Sequence, residues 1–108
     1  MTKERRQSIR IPVQMWVEEV GENSLYFQRA TNLSSTGLFL GKTVPHIPGT
    51  KVQLKFTLPG DKEPIQLEGE IVRGEDYGDR MGMGVHFLSI PRDVQVRLER
   101  FVKLRDGK

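Results

Sequence analysis

The chain has 108 residues, a formal net charge of +3 and no cysteine. This length suits one domain, which buries roughly two-thirds of the surface that its unfolded chain exposes. The lack of cysteine excludes disulfides and thiolate metal sites, and no apolar run approaches the ~20 residues that cross a bilayer. The N-terminus is charged and has no apolar segment typical of a secretory signal, so we expect a cytoplasmic protein.

Six segments show the alternation of apolar and polar residues that is typical of half-buried β-strands. Valine, isoleucine and threonine are plentiful while alanine occurs once, and this balance favours strands over helices. Polar turns, several of them with glycine or proline, separate the segments. The predicted strands cover residues 9–20, 25–31, 37–41, 51–58, 65–74 and 81–88.

The last segment has a different period. Its apolar residues are spaced i, i+4, i+7 and i+8, which is one face of a helix: Val94, Leu98, Phe101 and Val102. Pro91 suits a first helical turn. We therefore predict a mainly β protein, a small six-stranded antiparallel barrel with a C-terminal amphipathic helix packed on it. Residues 1–10 are predicted to be a flexible basic arm, and residues 11–108 the single domain.

Catalytic chemistry finds little support in the sequence. His46 and His86 have no carboxylate or second histidine at a spacing that builds a metal site, so we expect both to be structural or solvated. No glycine-rich phosphate loop precedes a helix. We predict that the protein is not an enzyme and that it has no metal and no cofactor.

Positive charge is concentrated near the N-terminus. Arg6 and Arg10 are separated by three residues, and Arg5 directly precedes this pair. Arginine presents a planar fork of N–H donors that matches phosphates and base edges. A basic terminal segment is also often only a solvated tail, so the arginines alone do not indicate a function.

Small polar residues and a glycine join the second and third predicted strands in the stretch "ATNLSSTGLFL", which contains Asn32, Ser34 and Gly37. A two-residue hairpin needs only Asn-Gly or Gly-Gly, so this join has more hydrogen-bonding side chains than a turn requires. One interpretation is an ordinary loop whose hydroxyls bond their own backbone. The other is a binding site, because in an antiparallel barrel this join can lie at the same mouth as the arginine arm.

The two motifs together resemble those of the PilZ domain, the bacterial receptor module for cyclic di-GMP. That family has two arginines with three residues between them, followed by Asp or Asn, then Ser, then Gly at the spacing found here. The resemblance covers nearly the whole chain, from the arm through the "GMGVHF" strand to the closing helix. Asn32 stands where the family more often has Asp, and its neutral amide is expected to bind a guanine N–H more weakly.

The resemblance implies that the ligand is cyclic di-GMP. The arginines would donate to guanine O6 and N7, and the Asn32 carbonyl and Ser34 hydroxyl would accept from its N1–H and amino group. Gly37 would leave room at the turn and tolerate a positive φ. In similar proteins the arm wraps the ligand, and an arginine at the position of Arg5 often accompanies two stacked ligands.

Two alternatives remain open. One is a PilZ-fold adaptor of pilus or flagellar machinery that binds no nucleotide, and the other is a barrel that binds single-stranded nucleic acid. Nucleic-acid barrels usually place aromatic residues beside basic ones, and no basic cluster flanks Tyr26 and Phe27, so we expect no DNA or RNA.

A receptor would need a downstream protein. Trp16, opposite the core stripe, either contacts that partner or lies under the helix, and we expect a monomer or weak homodimer.

Overall fold

A computed structural model of the chain describes residues 9–73 and 81–106, and it contains a closed six-stranded barrel. All neighbouring strands are antiparallel, and their order around the barrel is β1-β2-β3-β6-β5-β4. The elements are β1 (Ile11–Val20), β2 (Leu25–Leu33), β3 (Gly37–Gly41), β4 (Lys51–Phe56), β5 (Ile65–Arg73), β6 (Gly82–Leu88) and the helix α1 (Arg92–Asp106). The predicted barrel with one C-terminal helix is therefore confirmed.

The alternating residues of the strands fill the interior of the barrel. In β1 every second residue from Ile11 to Val17 is buried, while the residues between them face outward. Each fully buried Val, Leu, Ile or Phe side chain stabilises the folded state by about 1.5–3 kcal/mol relative to an exposed one. The inward-facing apolar residues of the strands are therefore a main source of the folding free energy. Glu19 continues the inward row and is the one charged side chain among the described residues that is buried.

We call the end of the barrel where β1 begins and β2 ends the motif end. The opposite end, which carries the turn at residues 21–24 and the loop at residues 42–50, is the far end. The loop between β4 and β5 lies at the motif end, and so does the helix α1. Arg97 of the helix donates to Asp61 Oδ2 at 2.8 Å and to the Glu63 carbonyl at 2.7 Å in this loop. Its buried residues Val94, Leu98 and Val102 join the barrel core.

Element bounds differ from the predicted ones at a few residues. β2 extends to Leu33 because Asn32 and Leu33 pair with β1 on one side and with β3 on the other. β4 ends at Phe56, which is the last residue of this strand to pair with β1 on one side and with β5 on the other. Arg5 and Arg6, and the predicted polar loop at residues 75–80, lie outside the described residues.

Trp16 is not covered by the helix. Its side chain is 61% exposed on the outer face of β1, so the interpretation that α1 packs over it is wrong. The helix instead packs on the core at the motif end, through apolar residues that include the half-buried Phe101.

Candidate ligand-binding site

The join between β2 and β3, residues 32–37, lies at the motif end, and we call it the polar turn. The structure places Arg10 next to this turn. Arg10 directly precedes β1, whose first residues Ile11 and Pro12 pair with Leu33 and Asn32 of β2. The antiparallel ladder therefore brings the chain at Arg10 alongside the exit of β2. Arg10 is exposed and lies at the surface beside this turn.

Asn32 occupies a distorted part of the sheet. The pairing of β2 with β3 shifts between Ala30 and Asn32, and the pairing with β1 shifts between Pro12 and Met15. Such bulges redirect side chains and are frequent beside functional sites. Asn32 is half-buried, and its Oδ1 is buried without a hydrogen-bond partner within the described part of the chain. A buried acceptor without a partner costs about 1–3 kcal/mol, so this oxygen is suited to a donor from a ligand.

Ser34 holds the turn together. Its Oγ accepts from the backbone N–H groups of Thr36 and Gly37, both at 3.1 Å, and its own N–H donates to the Gly37 carbonyl at 2.8 Å. A hydroxyl oxygen has two lone pairs, and both face these donors. Ser34 is also only 5% exposed. Its hydroxyl shapes the turn in this structure, and a direct bond to guanine would require these bonds to rearrange.

Gly37 is required by the packing of two strands. It opens β3 opposite His86 of β6, and a Cβ added there would lie 2.4 Å from the Val85 carbonyl oxygen. The tolerance of a positive φ is not used at Gly37, because the described glycines with positive φ are Gly49 and Gly60. The absent side chain of Gly37 leaves room for the β6 backbone, which keeps the polar turn tight against the barrel.

A groove leads away from the turn along the outer face of β1, β2 and β3. Its volume is ≈ 550 Å³, and its lining includes Pro12, Gln14, Trp16, Arg29, Thr31 and Lys42. Since Pro12 is the register partner of Asn32, the groove begins beside the polar turn. The Arg29 guanidinium carbon lies 5.0 Å from the centroid of the Trp16 ring.

Sequence reasoning missed the pairing of Trp16 with Arg29. The expectation that no basic cluster flanks the aromatic residues was made for Tyr26 and Phe27, and it left out Trp16, which has a basic neighbour. The signal was present in the hairpin, because a tight turn at residues 21–24 that pairs Val20 with Leu25 also pairs Trp16 with Arg29.

Residues 4–104 match the family model of the PilZ domain. The chain belongs to the PilZ domain family. The matched range includes the arginine motif, the polar turn and all six strands, so the resemblance indicated by the two motifs is confirmed. None of the curated proteins matches the chain in sequence.

The fold of this PilZ domain is similar to that of several solved structures. The Bacillus subtilis inhibitor of motility MotI/DgrA has a TM-score of 0.77 and 19% identity, over 95% of this chain and 52% of that one. This PilZ domain thus spans about half the length of that protein. The PilZ domain of CeSA from a cellulose-synthesizing bacterium has a TM-score of 0.65 and 19% identity, over 93% of this chain and 97% of that one.

A third similar structure contains a ligand. The PilZ domain of YcgR from Escherichia coli with c-di-GMP has a TM-score of 0.69 and 16% identity, over 95% of this chain and 92% of that one. At such identities the likeness shows the fold alone.

The far end of this PilZ domain holds a second polar cluster that sequence reasoning also missed. Glu19 is 1% exposed, and its two oxygens lie 2.7 Å from His46 Nε2 and 2.9 Å from Gln28 Nε2. The Tyr26 ring lies 5.3 Å from the His46 ring. His46 thus fastens the loop between β3 and β4 to the barrel, which agrees with the structural role expected for it.

Metal ligation and membrane insertion find no support in these residues. No three His, Cys, Asp or Glu side chains of residues 9–73 and 81–106 are grouped so that they could hold a metal ion. Over the same ranges, no helix combines the length and the apolar character that a transmembrane span requires.

Proposed function

We propose that this PilZ domain is a receptor for cyclic di-GMP, which changes conformation on binding and passes the signal to a partner protein. The observation that carries the proposal is the pairing of Asn32 with Pro12 beside Arg10, together with the buried Asn32 Oδ1 that lacks a partner among the described residues. A guanine needs both kinds of group at once, since its O6 and N7 accept hydrogen bonds while its N1–H and amino group donate them.

Each motif residue has a role in this proposal. Arg10, with Arg6 outside the described residues, donates a fork of N–H groups to guanine O6 and N7 or to a phosphate. Asn32 Oδ1 accepts from the guanine N1–H or amino group. Ser34 and Gly37 act through the turn, because they hold it against β6 and so fix the position of Asn32.

Isothermal titration calorimetry with cyclic di-GMP, cyclic di-AMP and GTP tests the proposal. Adenine has an amino donor where guanine has the O6 acceptor. An arginine fork placed for guanine therefore loses one hydrogen bond to adenine, and one of its N–H donors faces the adenine amino donor. We expect cyclic di-GMP to bind about fivefold to a hundredfold more tightly than cyclic di-AMP, from a discrimination of about 1–3 kcal/mol. Equal affinities would contradict the proposed recognition of guanine.

The same titration measures how many ligands bind. We propose that Arg5 stacks on a guanine and pairs with the phosphate of a second ligand, so the wild type should bind two cyclic di-GMP per chain. Arg5→Ala should lower this ratio towards one. A ratio of one in the wild type would refute the stacked pair and leave the receptor assignment in place. If no cyclic di-GMP binds, the nucleotide-free adaptor becomes the better assignment.

A further inference from the structure

Trp16 is the one tryptophan of the chain, and its position has no structural explanation in the barrel. It is 61% exposed on the outer face of β1, where it adds nothing to the core. Its register partner on β2 is Arg29, whose guanidinium carbon lies 5.0 Å from the ring centroid. An exposed aromatic ring next to a guanidinium is the arrangement on which proteins stack nucleobases.

The groove connects this pair to the site at the polar turn. It extends from Pro12, the partner of Asn32, to Trp16, and Thr31 and Gly41 are small residues in its lining. Its volume of ≈ 550 Å³ lies within the range of about 300–1,000 Å³ that is usual for small-molecule sites. Pro12 and Trp16 are four residues apart, about 13 Å along a strand, a length that several bases stacked at about 3.4 Å would fill.

The charges of the groove favour an anionic ligand. Its described lining includes two cationic residues, Arg29 and Lys42, and no carboxylate. A second groove, on the other side of Trp16, has a volume of ≈ 380 Å³ and contains both Glu18 and Lys55. The cationic character is therefore specific to the side of Trp16 that continues to Asn32.

We propose that Trp16 and Arg29 form a second guanine platform, which extends the cyclic di-GMP site along the β1–β2 face. The guanine farthest from Asn32 stacks on Trp16, while Arg29 and Lys42 lie next to the phosphates. The inference rests on the proposed function, because it assigns the far part of the same ligand. It also explains why a ring of this size is exposed beside an arginine.

Tryptophan fluorescence tests the platform directly, since every signal comes from Trp16. We expect cyclic di-GMP to quench the emission of the wild-type chain over the concentration range in which calorimetry detects binding. Base stacking is worth about 1–3 kcal/mol, so Trp16→Ala should weaken binding about fivefold to a hundredfold, while Trp16→Phe keeps most of the affinity. Leu25→Ala is the matched control, an exposed apolar residue of the same hairpin that lines neither groove.

The outcomes separate this inference from the proposed function. If calorimetry detects cyclic di-GMP but the emission does not change and Trp16→Ala binds like the wild type, the platform is wrong and the receptor stands. If calorimetry detects no cyclic di-GMP, the proposed function fails and the platform with it. Quenching by a single-stranded oligonucleotide, with none by cyclic di-GMP, would overturn the platform in favour of nucleic-acid binding.

Discussion

Buried side-chain oxygens lie at both ends of the barrel, and those of Glu19 at the far end differ in their partners from Asn32 Oδ1 at the motif end. At the far end, Glu19 has a partner on each oxygen, His46 on one and Gln28 on the other. At the motif end, the buried Asn32 Oδ1 has no partner among the described residues. Buried polar groups are nearly always hydrogen-bonded, so the first arrangement serves stability, and the second is the acceptor for which we propose a donor from the ligand.

The burial of a polar group does not by itself distinguish a structural role from a functional one. Glu19 is the more deeply buried of the two and is acidic where Asn32 is a neutral amide, yet both of its oxygens have partners in β2 and in the loop between β3 and β4. We therefore expect changes at the far end to alter the free energy of unfolding, and changes at the motif end to alter ligand affinity.

The largest effect should be on stability, at the far end. His46→Ala removes a partner of the buried Glu19 carboxylate, and a buried charge that loses its partner destabilises a protein by about 3 kcal/mol. The melting temperature, followed by circular dichroism, should fall on the order of 10 °C or more. Below the new melting temperature, the affinity for cyclic di-GMP should remain within about twofold of the wild type.

His86→Ala is the matched control for this variant. His86 is the other histidine of the chain and is exposed on β6, so its removal should change the unfolding free energy by less than about 0.5 kcal/mol. An equal loss of stability in both variants would mean that the Glu19–His46 contact is not what fastens the far end.

The motif end should show the opposite pattern. Arg10→Ala should weaken cyclic di-GMP binding about fivefold to a hundredfold, because a bidentate contact to guanine is worth about 1–3 kcal/mol, and Arg6→Ala should do the same. The melting temperature of the empty protein should not fall. Arg73→Ala removes an equal charge at the far end and should leave the affinity nearly unchanged. Wild-type affinity in the Arg10 variant would show that the site has been placed wrongly.

A smaller effect should follow when the acceptor at the motif end gains a charge. Asn32→Asp replaces a neutral acceptor with a carboxylate, and hydrogen bonds to charged groups are roughly twice as strong as neutral ones. We expect cyclic di-GMP to bind several-fold more tightly, a gain of about 1 kcal/mol. The empty variant should melt at a lower temperature than the wild type, because its buried carboxylate has no partner there. Weaker binding by the aspartate variant would remove Asn32 from contact with the guanine.

The smallest effect concerns the loop that α1 holds. The hydrogen bond from Arg97, with a further bond from the Lys62 N–H, lowers the pKa of Asp61 from its ordinary value of 3.8. A carboxyl with a lowered pKa in the folded state adds stability above its unfolded pKa and loses it as the pH falls through its folded pKa. Asp61→Asn should therefore melt slightly below the wild type at neutral pH, and the gap should close below pH 3.8. A gap that is constant from neutral pH to pH 2 would contradict this.

The fold could be predicted because its apolar residues repeat at the regular spacings of strands and of a helix. Alternation over β1 and β4, and the i, i+4, i+7 spacing of α1, are local properties that any sequence window reveals. The end of β2 was missed because Asn32 and Leu33 are held in the sheet by both neighbouring strands, which a local pattern does not register. Tertiary pairing therefore decided where this strand ends.

The site could be predicted in its motif and not in its surroundings. The arginine pair and the Asn-Ser-Gly turn have fixed spacings, and the place of Arg10 beside the turn follows from the pairing of β1 with β2, while Arg6 lies outside the described residues. Contacts between distant positions, such as Glu19 with His46, depend on how a loop folds back and leave no periodic trace. The packing role of Gly37 could not be predicted from the sequence either, because it depends on how closely the β6 backbone approaches this residue.

A double-mutant cycle on Arg10 and Asn32 tests the central claim most directly, namely that these two residues bind the same guanine. Calorimetry would give the cyclic di-GMP affinity of the wild type, Arg10→Ala, Asn32→Ala and the double variant. If both residues hold one base, losing the first makes the second less effective, and the coupling should be about 0.5–3 kcal/mol. Losses that add within about 0.3–0.5 kcal/mol would contradict the claim, because independent contacts behave in that way.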